Sequence, residues 1–169
     1  MTANRISISA VGQDSHRFEP EGSSKPLVLG GVVVPGAPGL AGNSDADVVL
    51  HAVTNAVSGV SGVNILGRIS DDLCLNKGIT DSRAYLEKAL ETLAADRWEL
   101  THVSVSIEAK KPHLSAHIPD IKRSIASLLS LPEKSVGLTA TTGEGLTDFG
   151  RGEGMQAFVI VSAERPRPC

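Results

Sequence analysis

Up to residue 36 the apolar residues come in short β-branched runs, and from residue 45 onward they recur three and four apart. A period of two fits a strand and a period of 3.6 fits a helix, so extended segments and helices must share one core. Residues 5–11 alternate weakly, and "KPLVLGGVVVPG" at 25–36 is an extended pair broken at Gly30 and Gly31. Both read as strands of one sheet, with an N-terminal hairpin. In "GNSDADVVLHAVTNAVSGV", Val48, Val49, Ala52, Val53 and Ala56 mark a first helix, begun near Asp45 by a capping-box-like Ser44 and Asp47. The spacing then predicts a helix over 80–98, a strand over 100–109, a helix over 118–131 opened by Pro119, and strands at 135–142 and 153–163. That order predicts an α+β fold: an α/β sandwich, a ferredoxin-like variant, with a mixed sheet and helices on one face.

Residues 58–78 scatter Gly, Ser and Asp with no sustained period, a long connection for a compact domain. Such loops usually carry function. The tail "ERPRPC", from about 164, holds two prolines that cannot continue a sheet and reads as a flexible end of one domain spanning 1–169. A chain this long buries roughly 70% of its unfolded surface. With only 3% aromatic residues, the core must rest on Val, Leu, Ile and Ala, and an oligomeric interface could supplement it. The net charge of −3 and the absence of any basic cluster beyond Lys110 and Lys111 argue against nucleic acid as a partner. No apolar stretch reaches membrane length, the N-terminus has no signal-peptide core, and Cys74 and Cys169 suit free thiols. The chain therefore reads as cytoplasmic, with no membrane partner.

Chemistry gathers in three places. "GQDSHRF" puts Asp14 and His16 two residues apart, on one face of any strand that stays extended through Ser15. His51 lies four residues after Asp47 on the first helix. Asp14, His16 and His51 make a plausible three-ligand set with a fourth position open, the pattern of a catalytic zinc. Each piece alone also reads as a turn with a surface histidine, or as a packed helix residue. In "ATTGEGLTDFGRGEG", hydroxyls and glycines can donate to phosphate oxygens and Glu144 could hold a hard cation; a polar turn is the alternative.

The stretches "DSH", "LVLGGVVVPG", "SDADVVLHA", "KGITDS", "AKKPHLSAHIP", "ATTGEG" and "GRGEG" follow one another in an order that resembles the 2-C-methyl-D-erythritol 2,4-cyclodiphosphate synthase family of non-mevalonate isoprenoid synthesis. The resemblance implies a homotrimer with active sites between subunits. It implies Zn2+ on Asp14, His16 and His51, and Mg2+ or Mn2+ on Glu144. A cytidine pocket would come from Ala109, Pro112, His113, Leu114 and Ser115 with Thr141, Thr142 and Glu144 of the adjoining chain. The methylerythritol end would meet Asn43, Ser44, Asn64, Ile65, Leu66 and Asp71. Ser15, Gly143, Asp148 and Arg151 complete the implied substrate set, Asn43 and Thr142 take the catalytic roles, and Arg151 and Glu153 line the trimer axis.

The implied enzyme is a phosphorus–oxygen lyase. The 2-phosphate of 4-diphosphocytidyl-2-C-methyl-D-erythritol 2-phosphate attacks the β-phosphorus, closing the 2,4-cyclodiphosphate and expelling CMP. The nucleophile is already an anion, so positioning and charge neutralisation suffice. This chain departs from the family pattern at Asn43, usually His, at Asn64, usually Asp, and at His113, usually Lys. Asn43 and Asn64, with Asp148 near a position where the family often has Phe, keep open an alternative: a reduced-activity relative that binds cytidine nucleotides or isoprenoid diphosphates.

Overall fold

The computed structural model describes residues 5–167, so the expectation of a free thiol at Cys169 lies outside them. Strand β1 (Arg5–Arg17) pairs antiparallel with β6 (Gly154–Pro166) along its whole length, from Arg5 opposite Pro166 to Arg17 opposite Gly154. The other edge of β6 takes β4 (Glu99–Glu108), antiparallel and bulged between Leu100 and His102. Beyond it lies β5 (Val136–Thr141), parallel to β4, giving the order β1-β6-β4-β5. Since β1 and β4 both oppose β6, they run the same way with β6 between them, the split β-α-β unit of ferredoxin-like folds. The parallel β4–β5 pair, joined through helix α4 (Ile118–Leu128), is the variation on it.

Burial alternates along β6. Met155, Ala157, Val159, Val161 and Ala163 face the core, while Phe158 and Ile160 face out. Helix α1 (Val48–Ser61) lies on the core face, nearly enclosed between the sheet and helix α3 (Arg83–Ala95), which is why its apolar residues extend round most of its circumference. One glycine sets how close α1 comes. A Cβ on Gly12 of β1 would stand 2.1 Å from the Ala52 carbonyl oxygen and 2.3 Å from the Ala56 nitrogen.

The structure corrects four expectations. Residues 25–36 do not join β1; β2 (Leu27–Leu29) and β3 (Val32–Val34) form a separate two-stranded sheet. Its turn residues Gly30 and Gly31 have φ of 61° and 77°, and their N–H groups donate to the Asp47 carboxylate at 2.9 and 2.6 Å, so a buried anion rather than a sheet edge holds the hairpin. Second, α1 starts at Val48 with Asp47 as its cap, accepting from Val49 and Leu50; Ser44 instead accepts from the Ala46 N–H. Third, residues 58–78 are ordered by the end of α1, by α2 (Arg68–Asp71) and by a wide helical turn over Asp72–Asn76, each too short to show a period. Fourth, β6 runs on through Glu164 and Arg165 to Pro166, because β1 supplies a partner to its end and the Arg165 guanidinium stacks on Trp98 at 4.5 Å. Among the described residues, no helix is long and apolar enough to cross a membrane.

Candidate active site

Asp14 and His16 lie opposite Ala157 and Met155, both core residues, so both side chains point to the α1 side of the sheet. His51 sits one turn into α1. The Asp47 cap fixes where that helix begins and Gly12 fixes its distance from β1, which brings the third side chain over the other two. Asp14 Oδ2 is 2.9 Å from His16 Nε2 and 2.9 Å from His51 Nδ1, and the two nitrogens are 3.2 Å apart.

The outward nitrogens are anchored. His16 Nδ1 meets the Ala41 carbonyl at 2.8 Å, which only a ring N–H can satisfy, so Nε2 faces inward, donating to Asp14 when it carries a proton and offering its lone pair to an ion when it does not. His51 Nε2 meets Ser82 Oγ at 2.8 Å. Burial pushes the Asp14 carboxyl up, but hydrogen bonds from His16 and His51 and their charges outweigh it and hold it well below the ordinary range. The Asp14 hydrogen bond raises His16 against the opposing effect of burial. The three ligand atoms lie within 4.8 Å of one another, the only such group of His, Cys, Asp and Glu among the described residues. One carboxylate and two imidazoles suit a borderline-soft divalent ion and leave a fourth position for substrate.

His16 and His51 open into a cleft of about 260 Å³ that also contains Asn43, Ser44, Leu66 and Asp71. Asn64 is exposed outside that cleft and the Ile65 side chain is buried in the core. A second cleft, of about 210 Å³, is lined by Ala109, Pro112, His113, Leu114, Ser115, Thr141 and Thr142, the residues expected around cytidine. Glu144, exposed at φ 48°, borders a further hollow with Lys110, Thr142 and Gly145. Ser15 points away from the triad, to a fourth recess with Asp148 and Glu153. There Arg151 pairs with Asp148 at 2.5 Å and Glu153 faces Arg17 at 3.8 Å, so within one chain Arg151 and Glu153 have separate partners. Gly143, at φ 65°, packs over Glu108, where a Cβ would meet Oε1 at 2.1 Å.

Four contributors escape a reading of the sequence. Tyr85 and Cys74 line the triad cleft; Cys74 donates to the Asn43 carbonyl at 3.3 Å and Tyr85 to the Ile79 carbonyl at 2.8 Å. Glu108 accepts from Thr147 and, at 2.7 Å, from Gln156, and Thr147 in turn caps α5 (Asp148–Arg151), ordering the loop that carries Thr142 and Glu144. Ser82 backs His51. None stands in a spacing that marks it: Cys74, Ser82 and Glu108 act through partners 31 to 48 residues away, and Tyr85 through Ile79, six residues back.

Residues 8–164 match the YgbB family. The chain belongs to that family. Among curated YgbB relatives, the 2-C-methyl-D-erythritol 2,4-cyclodiphosphate synthase of Chlamydia caviae is 45% identical over 152 residues, covering 90% of this chain and 86% of its own. A solved 2C-methyl-D-erythritol-2,4-cyclodiphosphate synthase superposes with a TM-score of 0.82 at 31% identity, over 92% of this chain and 99% of the other; its CDP-bound form gives 0.82 at 29%. The bifunctional IspDF from Campylobacter jejuni gives 0.86 at 29% identity over 96% of this chain, which spans 43% of that longer protein. The family expected from the ordered motifs is the family found.

Proposed function

We propose that this YgbB-family chain is a cytoplasmic 2-C-methyl-D-erythritol 2,4-cyclodiphosphate synthase, a CMP-releasing phosphorus–oxygen lyase that works as a homotrimer. The observation that carries the reading is the convergence of Asp14, His16 and His51 at the mouth of the cleft that holds Asn43, Ser44, Leu66 and Asp71. Asp14, His16 and His51 would hold zinc and Glu144 would hold Mg2+ or Mn2+, and these ions would supply Lewis-acid contacts and offset phosphate charge.

The chain's own groups do the positioning. Asn43 and Ser44 can donate to the 2-phosphate, while the Ala109–Ser115 segment and Thr141 hold the nucleoside. A phosphate oxygen of the 2-phosphate then forms its bond to the β-phosphorus as the bond to the bridging oxygen breaks, and CMP leaves with that electron pair. Thr142 would donate its hydroxyl to the oxygens that gain charge. No proton is removed from the nucleophile, which is already an anion, so the step needs no general base. The attack is internal to the substrate, so holding both phosphates in line selects the one conformer in which the reacting atoms meet.

Trimer formation has a physical motive in the sheet's outer face. Val11 is 66% exposed, and its cross-strand partner Ile160 is 52% exposed beside Phe158 at 47%, an apolar strip that a second copy would cover. The test is phosphorus NMR of the protein incubated with the cytidyl substrate, Zn2+ and Mg2+. The cyclic diphosphate with stoichiometric CMP supports the proposal; linear phosphate or unchanged substrate overturns it.

A further inference from the structure

We propose that Ser82 and Asp45 are positioning residues for the metal centre, which hold His51 with its Nδ1 lone pair turned toward the ion. This rests on the metal reading of Asp14, His16 and His51. His51 is 8% exposed and its outward Nε2 meets Ser82 Oγ at 2.8 Å. Ser82 is fully buried just before α3, and both of its polar groups go to one carboxylate: the hydroxyl donates to Asp45 Oδ1 and the backbone N–H donates to Oδ2 at 3.1 Å. Asp45 is itself held by its N–H, which donates to the Thr80 carbonyl at 2.8 Å.

A hydroxyl has one proton to give. Committed to Asp45, it leaves the Ser82 oxygen as an acceptor only, and the group it accepts from is the His51 Nε2–H. The Nδ1 lone pair is thereby turned toward an ion held between it and Asp14 Oδ2, 2.9 Å away; with no ion there, a proton on Nδ1 donates to that oxygen instead. The result is a pair of opposite tautomers: His16 offers Nε2 because Ala41 holds its Nδ1, and His51 offers Nδ1 because Ser82 holds its Nε2. Without Ser82 nothing on that side selects the tautomer, and a proton on Nδ1 would face the metal position. Outer partners of this kind orient the ring and raise its basicity as a ligand.

Two measurements on the full chain test this, a competitive zinc titration and the long-range proton–nitrogen spectrum of the ring nitrogens. In the zinc-bound parent, His51 is expected to be protonated on Nε2 and His16 on Nδ1. Ser82→Ala is expected to lower zinc affinity by about 10- to 100-fold and to scramble the His51 pattern, with Ser82→Thr restoring both. Asp45→Ala, which keeps Ser82 and frees its proton, is expected to act in the same direction. Parent-like zinc affinity and His51 pattern in both alanine variants overturns the inference, as does a parent in which His51 meets zinc through Nε2. A parent that binds no zinc at all overturns the metal reading beneath it.

Discussion

Gly12 is where β1 and α1 meet backbone to backbone, and Gly12→Ala is expected to damage the metal centre without touching a ligand. The new methyl would lie 2.1 Å from the Ala52 carbonyl oxygen, so α1 must withdraw by about 1.3 Å, the gap between that distance and the 3.4 Å of ordinary contact. Neither neighbour is a side chain that can rotate aside. The withdrawal carries His51 away from Asp14 and His16, which need their present 2.9–3.2 Å spacing to share one ion. A metal–nitrogen bond of about 2.0–2.1 Å does not stretch by an ångström, so the site must lose a ligand or deform. Zinc affinity is expected to fall by at least about 10- to 100-fold, the range seen when merely the outer support of a ligand is lost. Stability is expected to fall by about 1–3 kcal/mol from overpacking. Chelator competition reads the first and urea unfolding the second. The control is Gly59→Ala, eight residues beyond His51 on the same helix, where the added carbon meets the Ala10 methyl at 3.0 Å and the Val11 carbonyl oxygen at 3.8 Å. A Gly12→Ala protein that loses stability yet keeps parental zinc affinity would refute the idea that this strand–helix distance sets the site.

Asp47→Ala orphans four N–H groups, those of Gly30, Gly31, Val49 and Leu50, and is expected to cost about 3–5 kcal/mol in urea unfolding; a loss under about 1 kcal/mol contradicts its role as joint cap and hairpin tether. Two opposing pH trends follow from Asp14 and His16. The metal-free pair stabilises the fold above the ordinary Asp value of 3.8, lost as pH falls through the lowered Asp14 value, and below the ordinary His value of 6.5, lost as pH rises through the raised His16 value. Zinc needs His16 deprotonated, so the thermal shift on adding zinc is expected to grow as pH rises past 6.5, and a flat or falling shift contradicts the ligand assignment. Asn43 lines the triad cleft but cannot carry charge, so Asn43→His is expected to raise the rate of CMP release; no gain removes any electrostatic role for that position.

Local periods revealed most elements and the motifs revealed the family, but long-range partnerships stayed hidden. Helix α1 and strands β4 to β6 were legible because their apolar spacing is set by the layer they cover. The hairpin at 25–36 was assigned to the wrong sheet because its real anchor, the Asp47 carboxylate, lies 16 and 17 residues away and gives no local signal. Asp14, His16 and His51 were legible because a strand puts i and i+2 on one face and the helix that follows packs on that face. Ser82, Asp45 and Glu108 were not, since hydrogen bonds spanning 31 to 48 residues obey no period. The tail failed for a related reason: Pro166 needs no ladder N–H at the last residue of a strand, so two prolines in sequence overstate the break.

The placement of the two clefts makes a stronger claim about assembly. The triad stands at the C-terminal end of β1, and Ala109 and Thr141 stand at the C-terminal ends of β4 and β5. These three strands run the same way, so both clefts open at one end of the sheet, yet they share no residue. With β6 between them, β1 and β4 are about 10 Å apart at roughly 4.8 Å per strand. A site shared between subunits requires the triad of one copy to meet the nucleoside cleft of its neighbour, and subunit mixing decides the matter. His51→Ala and Thr142→Ala are each expected to be inactive alone. Dissociated together in equal amounts and reassembled at random, they should regain about one quarter of parental activity, because a site is whole only when one member of the pair supplies an intact triad and the other an intact loop, each with a chance of one half. If the site is built within a single chain, every subunit keeps its own lesion and the mixture stays dead.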